Sequence, residues 1–334
     1  RFSFGSAGDI GVETLSLFTV PLGVQLGFGR AVELGVSGAW ARGEMVRDDG
    51  SESTISGPTD TELRLSVRVG RDLLTLTGIA LLPTGTESLS IDEADVAGAI
   101  AADVLPFRIS NWGTGGGAGA AAAIAGPIGG FAAGVSIGYV VAQEFEPLQD
   151  DAFTYRPGNQ LDVRVAIDRT FGDAGKAALV LRMQQYDDDQ IDGANLFRSG
   201  DRYEAVGSFA FATGERGAGI LYAGLLRRDE GEYREPVAVY PAQDLFFTGI
   251  GFELPAGSVR LKPTAELRVL SGDDDAGKGY TASAGGSIEL PAGGATFVPT
   301  LRARFGNVEL RPGAESDFTG LELGLALRFG APGG

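Results

Sequence analysis

The chain contains no cysteine and no histidine. Without cysteine there is no disulfide framework and no CxxC metal site. Without histidine, a Ser-His-Asp triad and any other histidine-assisted hydrolase are excluded. Carboxylate pairs remain, but each reads more simply as an ion-pair partner, so no enzymatic activity is expected. No run of about 18 apolar residues occurs, which excludes a helical membrane span. The start carries no charged segment followed by an apolar one, and its first residue is Arg1, which reads as a processed or trimmed chain. Bases are scarce, with 27 Lys and Arg against 44 Asp and Glu, and the net charge of -17 repels nucleic-acid phosphates.

What the chain has is glycine, 53 residues in 334, and a repeated alternation of apolar and polar side chains. In VRLKPTAELRV, Val259, Leu261, Pro263, Ala265, Leu267 and Val269 share one parity, and Arg260, Lys262, Thr264, Glu266 and Arg268 the other. A strand sends alternate side chains to opposite faces, so this segment has one apolar and one charged face. Pro263 is discordant, because a proline removes a ladder hydrogen bond in a central strand. The same pattern recurs in TELRLSVRVG, QLDVRVAID, ATFVPTLRARF and GLELGLALRF.

Connections alternate between short and long. The short ones bear glycine: GRA at 29–31, GRD at 70–72, PIGG at 127–130, GDAG at 172–175, GERG at 214–217, PAGS at 255–258 and PAGG at 291–294. The long ones are polar and acidic. Phe28, Phe171, Phe211, Phe252 and Phe329 stand where strands meet short turns, and Trp40, Tyr139, Tyr186 and Tyr203 stand toward the long loops. Two aromatic bands on an apolar face belong at the two interfaces of a bilayer. The expectation is a single domain over 1–334: an all-β, antiparallel up-and-down transmembrane barrel of about 14–16 strands in a bacterial outer membrane. A soluble β-sandwich or solenoid is the alternative, and it predicts neither the loop alternation nor the bands.

Residues 84–126 break the rhythm. Ser90 and Glu93 have capping-box spacing, Val96, Ile100 and Val104 recur as on one helix face, and Leu105-Pro106 would end the helix. After Trp112 comes GTGGGAGAAAAIAG, whose small residues let another backbone approach. The reading is that the 84–112 loop folds inward as a plug or lid, with Val96, Ile100, Val104 and Trp112 packed on the wall of 113–126. An exposed loop helix beside an ordinary small-residue strand is the alternative.

Leu82-Pro83-Thr84-Gly85, where a strand enters this insertion, resembles a motif of outer-membrane barrels of the phenol-degradation-pathway type and of relatives of the long-chain fatty acid transporters. That resemblance implies barrels of about 12 to 14 strands that admit hydrophobic or aromatic small molecules.

The polar parity places eleven cations toward the lumen: Arg64, Arg68, Arg164, Arg182, Arg202, Arg260, Lys262, Arg268, Arg302, Arg304 and Arg328. Fewer carboxylates join them: Glu62, Asp162, Asp168, Glu204, Glu253, Glu266 and Glu322. Such a lumen draws anions, or its charges form cross-strand ladders that stiffen the wall. Register across the GERG turn sets Glu204 opposite Arg227 and turns Val206, Leu221, Ala223 and Leu225 inward as an apolar patch. Register across PAGS sets Glu253 opposite Arg260.

The acidic loops, with Asp48 and Asp49, Asp187 to Asp189 and Asp273 to Asp275, lack EF-hand spacing and read as solvated surface. GDDDAGKG at 272–279 is the best candidate for Ca²⁺, and no other cofactor is expected. The expected surroundings are outer-membrane lipid and lipopolysaccharide. The expected function is passive passage of small solutes, anionic or amphiphilic and aromatic. The rival is a non-conducting barrel that binds a partner or belongs to a surface assembly.

Overall fold

The computed structural model describes residues 1–5, 10–70, 73–102, 105, 107–109, 111–172, 175–214, 216–234, 238–272, 277–311 and 314–329. The wall is one antiparallel sheet closed on itself. Its first half comprises β1 (Phe2–Phe4), β2 (Val12–Phe28), β3 (Val32–Arg47), β4 (Glu52–Pro58), β5 (Thr61–Val69), β6 (Leu74–Leu82), β7 (Gly117–Ile128) and β8 (Phe131–Ala142). The second half adds β10 (Gln160–Thr170), β11 (Lys176–Tyr186), β14 (Arg202–Ala212), β15 (Ala218–Arg228), β18 (Gln243–Ala256), β19 (Val259–Gly272), β20 (Gly279–Ala292), β21 (Ala295–Arg311) and β22 (Ala314–Phe329). These are 17 segments, but β4 and β5 pair with the upper and lower parts of β3 and form one stave, so the barrel has 16 staves. β1 closes the ring, with Phe2 opposite Gly320 on β22 and Leu15 on β2.

The apolar parity lies outside. On β2, Phe18, Leu22 and Phe28 are exposed, and on β22 Leu323 and Leu325 are 74% and 73% exposed. In water, so continuous an apolar girdle would be an association site; in a bilayer it is the required surface. Closure pairs the backbone groups that hydrocarbon would leave unsatisfied; at the seam, among the described residues, β22 and β2 are joined only through Phe2–Phe4 of β1. The fold is that of a 16-stranded membrane barrel, not a soluble sandwich.

Val259 to Val269 follow the expected phase: Leu261, Leu267 and Val269 are exposed and pair with other outward residues. The irregularity anticipated at Pro263 is local. The β18 ladder pairs Gly251 with Thr264 and resumes at Leu254 with Leu261. Phe28, Phe171, Phe211, Phe252 and Phe329 all keep outward parity at the short-turn end. Tyr186 does not belong to the outer band. Its ladder partner is Gln160, and it shares the inward parity of Arg182 and Gln184.

The long connections are more ordered than polar composition implies. β9 (Tyr155–Arg156), β12 (Asp188–Ile191), β13 (Ala194–Arg198), β16 (Gly231–Tyr233) and β17 (Ala238–Tyr240) form a second, five-stranded sheet. Phe197 packs at 4.6 Å from Tyr233 between ring centroids, so a few aromatics in otherwise acidic loops supply the apolar contact that a small sheet needs.

Candidate functional site

The lumen and the 84–116 insertion form the candidate site. Ser90 caps α1 (Ile91–Ile100): its side chain accepts from Glu93 N, and the Glu93 carboxylate accepts from Ser90 N at 2.9 Å. The helix buries Val96 and Ile100 completely, in one apolar cluster with Ala41, Met45 and Ile55. Ala41 and Met45 have the parity opposite to exposed Trp40, which is the inner face of β3. Trp112 is also buried, and its Nε1 donates to Ala41 O at 3.2 Å.

The seat is therefore the β2–β4 wall, where α1 makes its strand contacts, and not the small-residue segment 113–126. Gly43 explains the choice. A Cβ there would meet Ile100 Cδ1 at 2.6 Å and Trp112 Cη2 at 3.1 Å, so the helix needs that gap. The glycines of β7 serve the wall itself. A Cβ on Gly117 or Gly119 would come within 2.6 or 2.5 Å of carbonyls on β8. Val104 lies outside the described residues.

Both ends of the insertion meet at one carboxylate. Asp60 sits in the break between β4 and β5 and accepts from Gly85 N at 3.0 Å, Thr114 N at 2.7 Å and Thr114 Oγ1 at 2.7 Å. Thr84 Oγ1 lies 2.8 Å from Thr61 Oγ1. Gly85 has no room for a side chain, because a Cβ would strike Trp112 O and Asp60 Oδ1. Thr84 and Gly85 of the strand-end motif thus act as an anchor. Next to them, burial first and Asp60 second push the Glu87 carboxyl up, and among the described residues its Oε1 has no hydrogen-bond partner. Replacing Asp60 with Ala strands three donors and is expected to loosen the insertion by about 1–3 kcal/mol. Hydrogen exchange should rise in residues 87–111 while the staves stay protected.

Arg108 ties the insertion to β22, the stave beyond β1 from β2, with Nη2 donating to Glu322 Oε1 at 2.8 Å. Phe107 meets Phe2 edge-on at 5.0 Å, and Phe2 meets Phe318 at 5.3 Å. Beside this contact a cavity of about 770 Å³ lies between β2 and β22, with Arg304, Glu322 and Leu323 among its lining.

Most of the cations expected in the lumen have inward parity and a carboxylate partner. Arg64 pairs with Glu62 at 2.9 Å, Arg68 with Glu33 at 3.7 Å, and Arg164 and Arg182 share Asp162 at 2.9 and 2.6 Å. Arg260 reaches Glu253 at 2.8 Å although the ladder sets Pro255 opposite Arg260; Lys262 bridges Glu253 and Glu289. Arg328 pairs with Glu289 at 3.0 Å and Arg268 with Glu266 at 2.7 Å. Arg302 and Arg304 converge on Glu322, Arg302 at 3.8 Å. Arg202 stands apart, opposite Arg228.

The GERG expectation is off by one residue. The ladder sets Glu204 opposite Leu226 and Tyr203 opposite Arg227. A one-residue shift exchanges the faces of a whole strand. Leu221, Ala223, Leu225 and Arg227 therefore point outward, Leu221 and Leu225 being exposed, and Tyr222, Leu226 and Arg228 point inward. Val206 keeps its inward place opposite Gly224.

The acidic loop residues are engaged in local bonds. Asp189 accepts from Tyr155 Oη at 2.6 Å and Gly158 N at 2.7 Å, Asp188 pairs with Arg234 at 2.7 Å, and Asp49 accepts from Ser51 N at 2.8 Å. Asp273 to Asp275 lie outside the described residues. Among the described residues no group of three or more acidic side chains is arranged to hold a metal ion.

The fold and the inserted loop define the class, an antiparallel membrane β-barrel with an internally seated connection. Similar solved structures are bacterial porins. The anion-selective porin from Comamonas acidovorans is 14% identical, with 92% of this chain and 88% of that one covered and a TM-score of 0.41. A Rh. blastica porin mutant is 12% identical over 97% and 94%, with a TM-score of 0.42. A loop-deletion mutant of OmpT, an outer-membrane protein of Vibrio cholerae, is 11% identical over 98% of each chain, with a TM-score of 0.40. No family model and no curated protein matches, so the resemblance to the phenol-degradation and fatty acid transporter types gains no support there.

Proposed function

We propose that this barrel is an outer-membrane channel that passes small solutes passively, favours anions and accommodates amphiphilic aromatic ones. The observation that carries the reading is the inner wall. It holds more cations than carboxylates, and the 84–112 segment seated against it narrows the bore as a lid. A positive lumen lowers the barrier for anions through the summed field even where individual charges are paired.

The aromatic preference has its own support. Tyr222 and Phe247 stand inward on adjacent staves, and each lies across the glycine opposite it. A Cβ on Gly249 would strike the Tyr222 ring, and one on Gly224 the Phe247 ring. Flattened rings offer a face for stacking. Arg268 is the direct ladder partner of Phe247, and among the described residues Arg302 is held by contacts of 3.5 Å to Thr264 and 3.8 Å to Glu322. A solute carboxylate can displace contacts that long.

The rival reading is a plugged barrel with a structural or partner-binding role. The Phe2, Phe107 and Phe318 cluster favours it, because it fills part of the bore with packed rings.

A planar-bilayer recording separates the two. A conducting pore with an anion-selective reversal potential supports the channel reading, and absence of conductance supports the plugged barrel. Arg302→Gln with Arg304→Gln is expected to move the reversal potential toward cation preference by several millivolts in a tenfold salt gradient. A cation-selective wild type would overturn the positive-lumen reading.

A further inference from the structure

Two arginines meet on the inner wall near the long-loop end. Arg202 on β14 and Arg228 on β15 are direct ladder partners. Gln184 flanks Arg202 on β11, and Gln243 flanks Arg228 on β18. Like charges directly opposite across a ladder destabilise a sheet. Elsewhere in the lumen carboxylates relieve such crowding; Arg164 faces Arg182, and Asp162 binds both.

Nothing of that kind serves Arg202 and Arg228. Among the described residues no carboxylate forms an ion pair with either. Arg228 donates Nη2 to Gln243 Oε1 at 2.5 Å, and its guanidinium lies 4.5 Å from the Tyr240 ring centroid. Among the described residues, the Nε of both arginines is buried without a hydrogen-bond partner. A buried N–H left unpaired costs its full desolvation, and on a guanidinium the cost is high. Of the acids at this end, Asp201 accepts from Gln185 through Oδ2 at 3.0 Å, with its Oδ1 3.9 Å from Arg198, and Asp229 accepts from Arg227 at 2.9 Å. Gln185 and Arg227 share the outward parity, so these two donors lie on the other side of the wall from Arg202 and Arg228.

We propose that Arg202 and Arg228 form a binding site for a small oxyanion, the carboxylate, sulfate or phosphate group of a solute. A guanidinium presents its donors as a planar fork that matches such a group two bonds at a time. An oxyanion between the two forks satisfies the stranded donors and converts a repulsion into two attractions. Tyr240 belongs to β17 of the second sheet, so the site joins the lumen to the ordered loops above it. The site requires both side chains to share the lumenal face; it does not require the barrel to conduct, and the two readings fail separately.

The test is a calorimetric titration of the detergent-solubilised barrel with sulfate at constant ionic strength, paired with thermal unfolding. Wild type should bind sulfate, and Arg228→Gln or Arg202→Gln should weaken that binding about tenfold or more. In chloride without oxyanion, Arg228→Gln should melt higher than wild type, because the like-charge pair is gone. A merely structural arginine predicts the opposite, a lower melting point. The proposal is overturned if wild type binds no sulfate, or if both variants bind it as wild type does. It is also overturned if Arg228→Gln melts lower in chloride and keeps the sulfate response.

Discussion

Removing residues 88–108 and bridging the ends with a short Gly/Ser segment is expected to raise single-channel conductance while the barrel stays folded. A helix with its side chains is about 10–12 Å across, and a 16-strand barrel is wide enough to leave an aqueous channel. Taking α1 from the bore should therefore widen it severalfold in conductance. The helix stays inside because Val96 and Ile100 are 0% and 1% exposed against the β2–β4 wall. Burial of such side chains contributes about 25 cal/mol per Å² of apolar surface, which offsets the entropy of ordering the loop. The bonds from Thr84, Gly85 and Thr114 lie outside the deleted span, so the ends remain joined at Asp60. Single-channel recording with a heat-modifiability check on folding reads the result. Unchanged conductance, together with cleavage of this segment by protease on intact cells, would place the loop outside and remove the lid from the proposal.

Leu65→Arg is expected to destabilise the barrel by about 2–4 kcal/mol, as an outward arginine near the midplane must leave water for hydrocarbon. Leu65 pairs with Leu34 and with Gly78, and it is exposed on the outer face. One residue away, Arg64→Leu exchanges a half-exposed lumenal cation bound to Glu62 for an apolar side chain. Its expected cost is within about 1 kcal/mol, the worth of a solvated ion pair. Reversible denaturant titrations in phospholipid vesicles measure both. Equal tolerance of the two substitutions would mean that the outer face does not meet lipid.

The alternation at 259–269 and 321–329 was legible because lipid and water lie on opposite faces of every stave, and period two records that contrast. Register across a turn was not, because it depends on how many residues the connection takes. Between β14 and β15 the ladder pairs Ala212 with Ala218, so five residues lie between them. Assuming one residue fewer or more turns a strand over, which is why Arg227 was expected inside and Arg228 was missed. The helix of the insertion was legible from the Ser90 and Glu93 spacing, which is a local bond. Its seat was not, since a glycine on β3 and an aspartate in a strand break are distant in sequence. Arg228 left one usable signal: two adjacent arginines at a strand end put one of them inside under either register.

The meeting of Gly85 and Thr114 at Asp60 makes the intervening stretch an interchangeable part. With its ends already joined, its length enters the folding free energy only logarithmically; doubling it costs about 0.6 kcal/mol. The staves on either side, β6 and β7, are paired directly with each other and do not register what lies between the anchors. Bore width and lining can therefore diverge in one short segment while sixteen staves stay the same, and a foreign segment spliced between the anchors would inherit a finished frame.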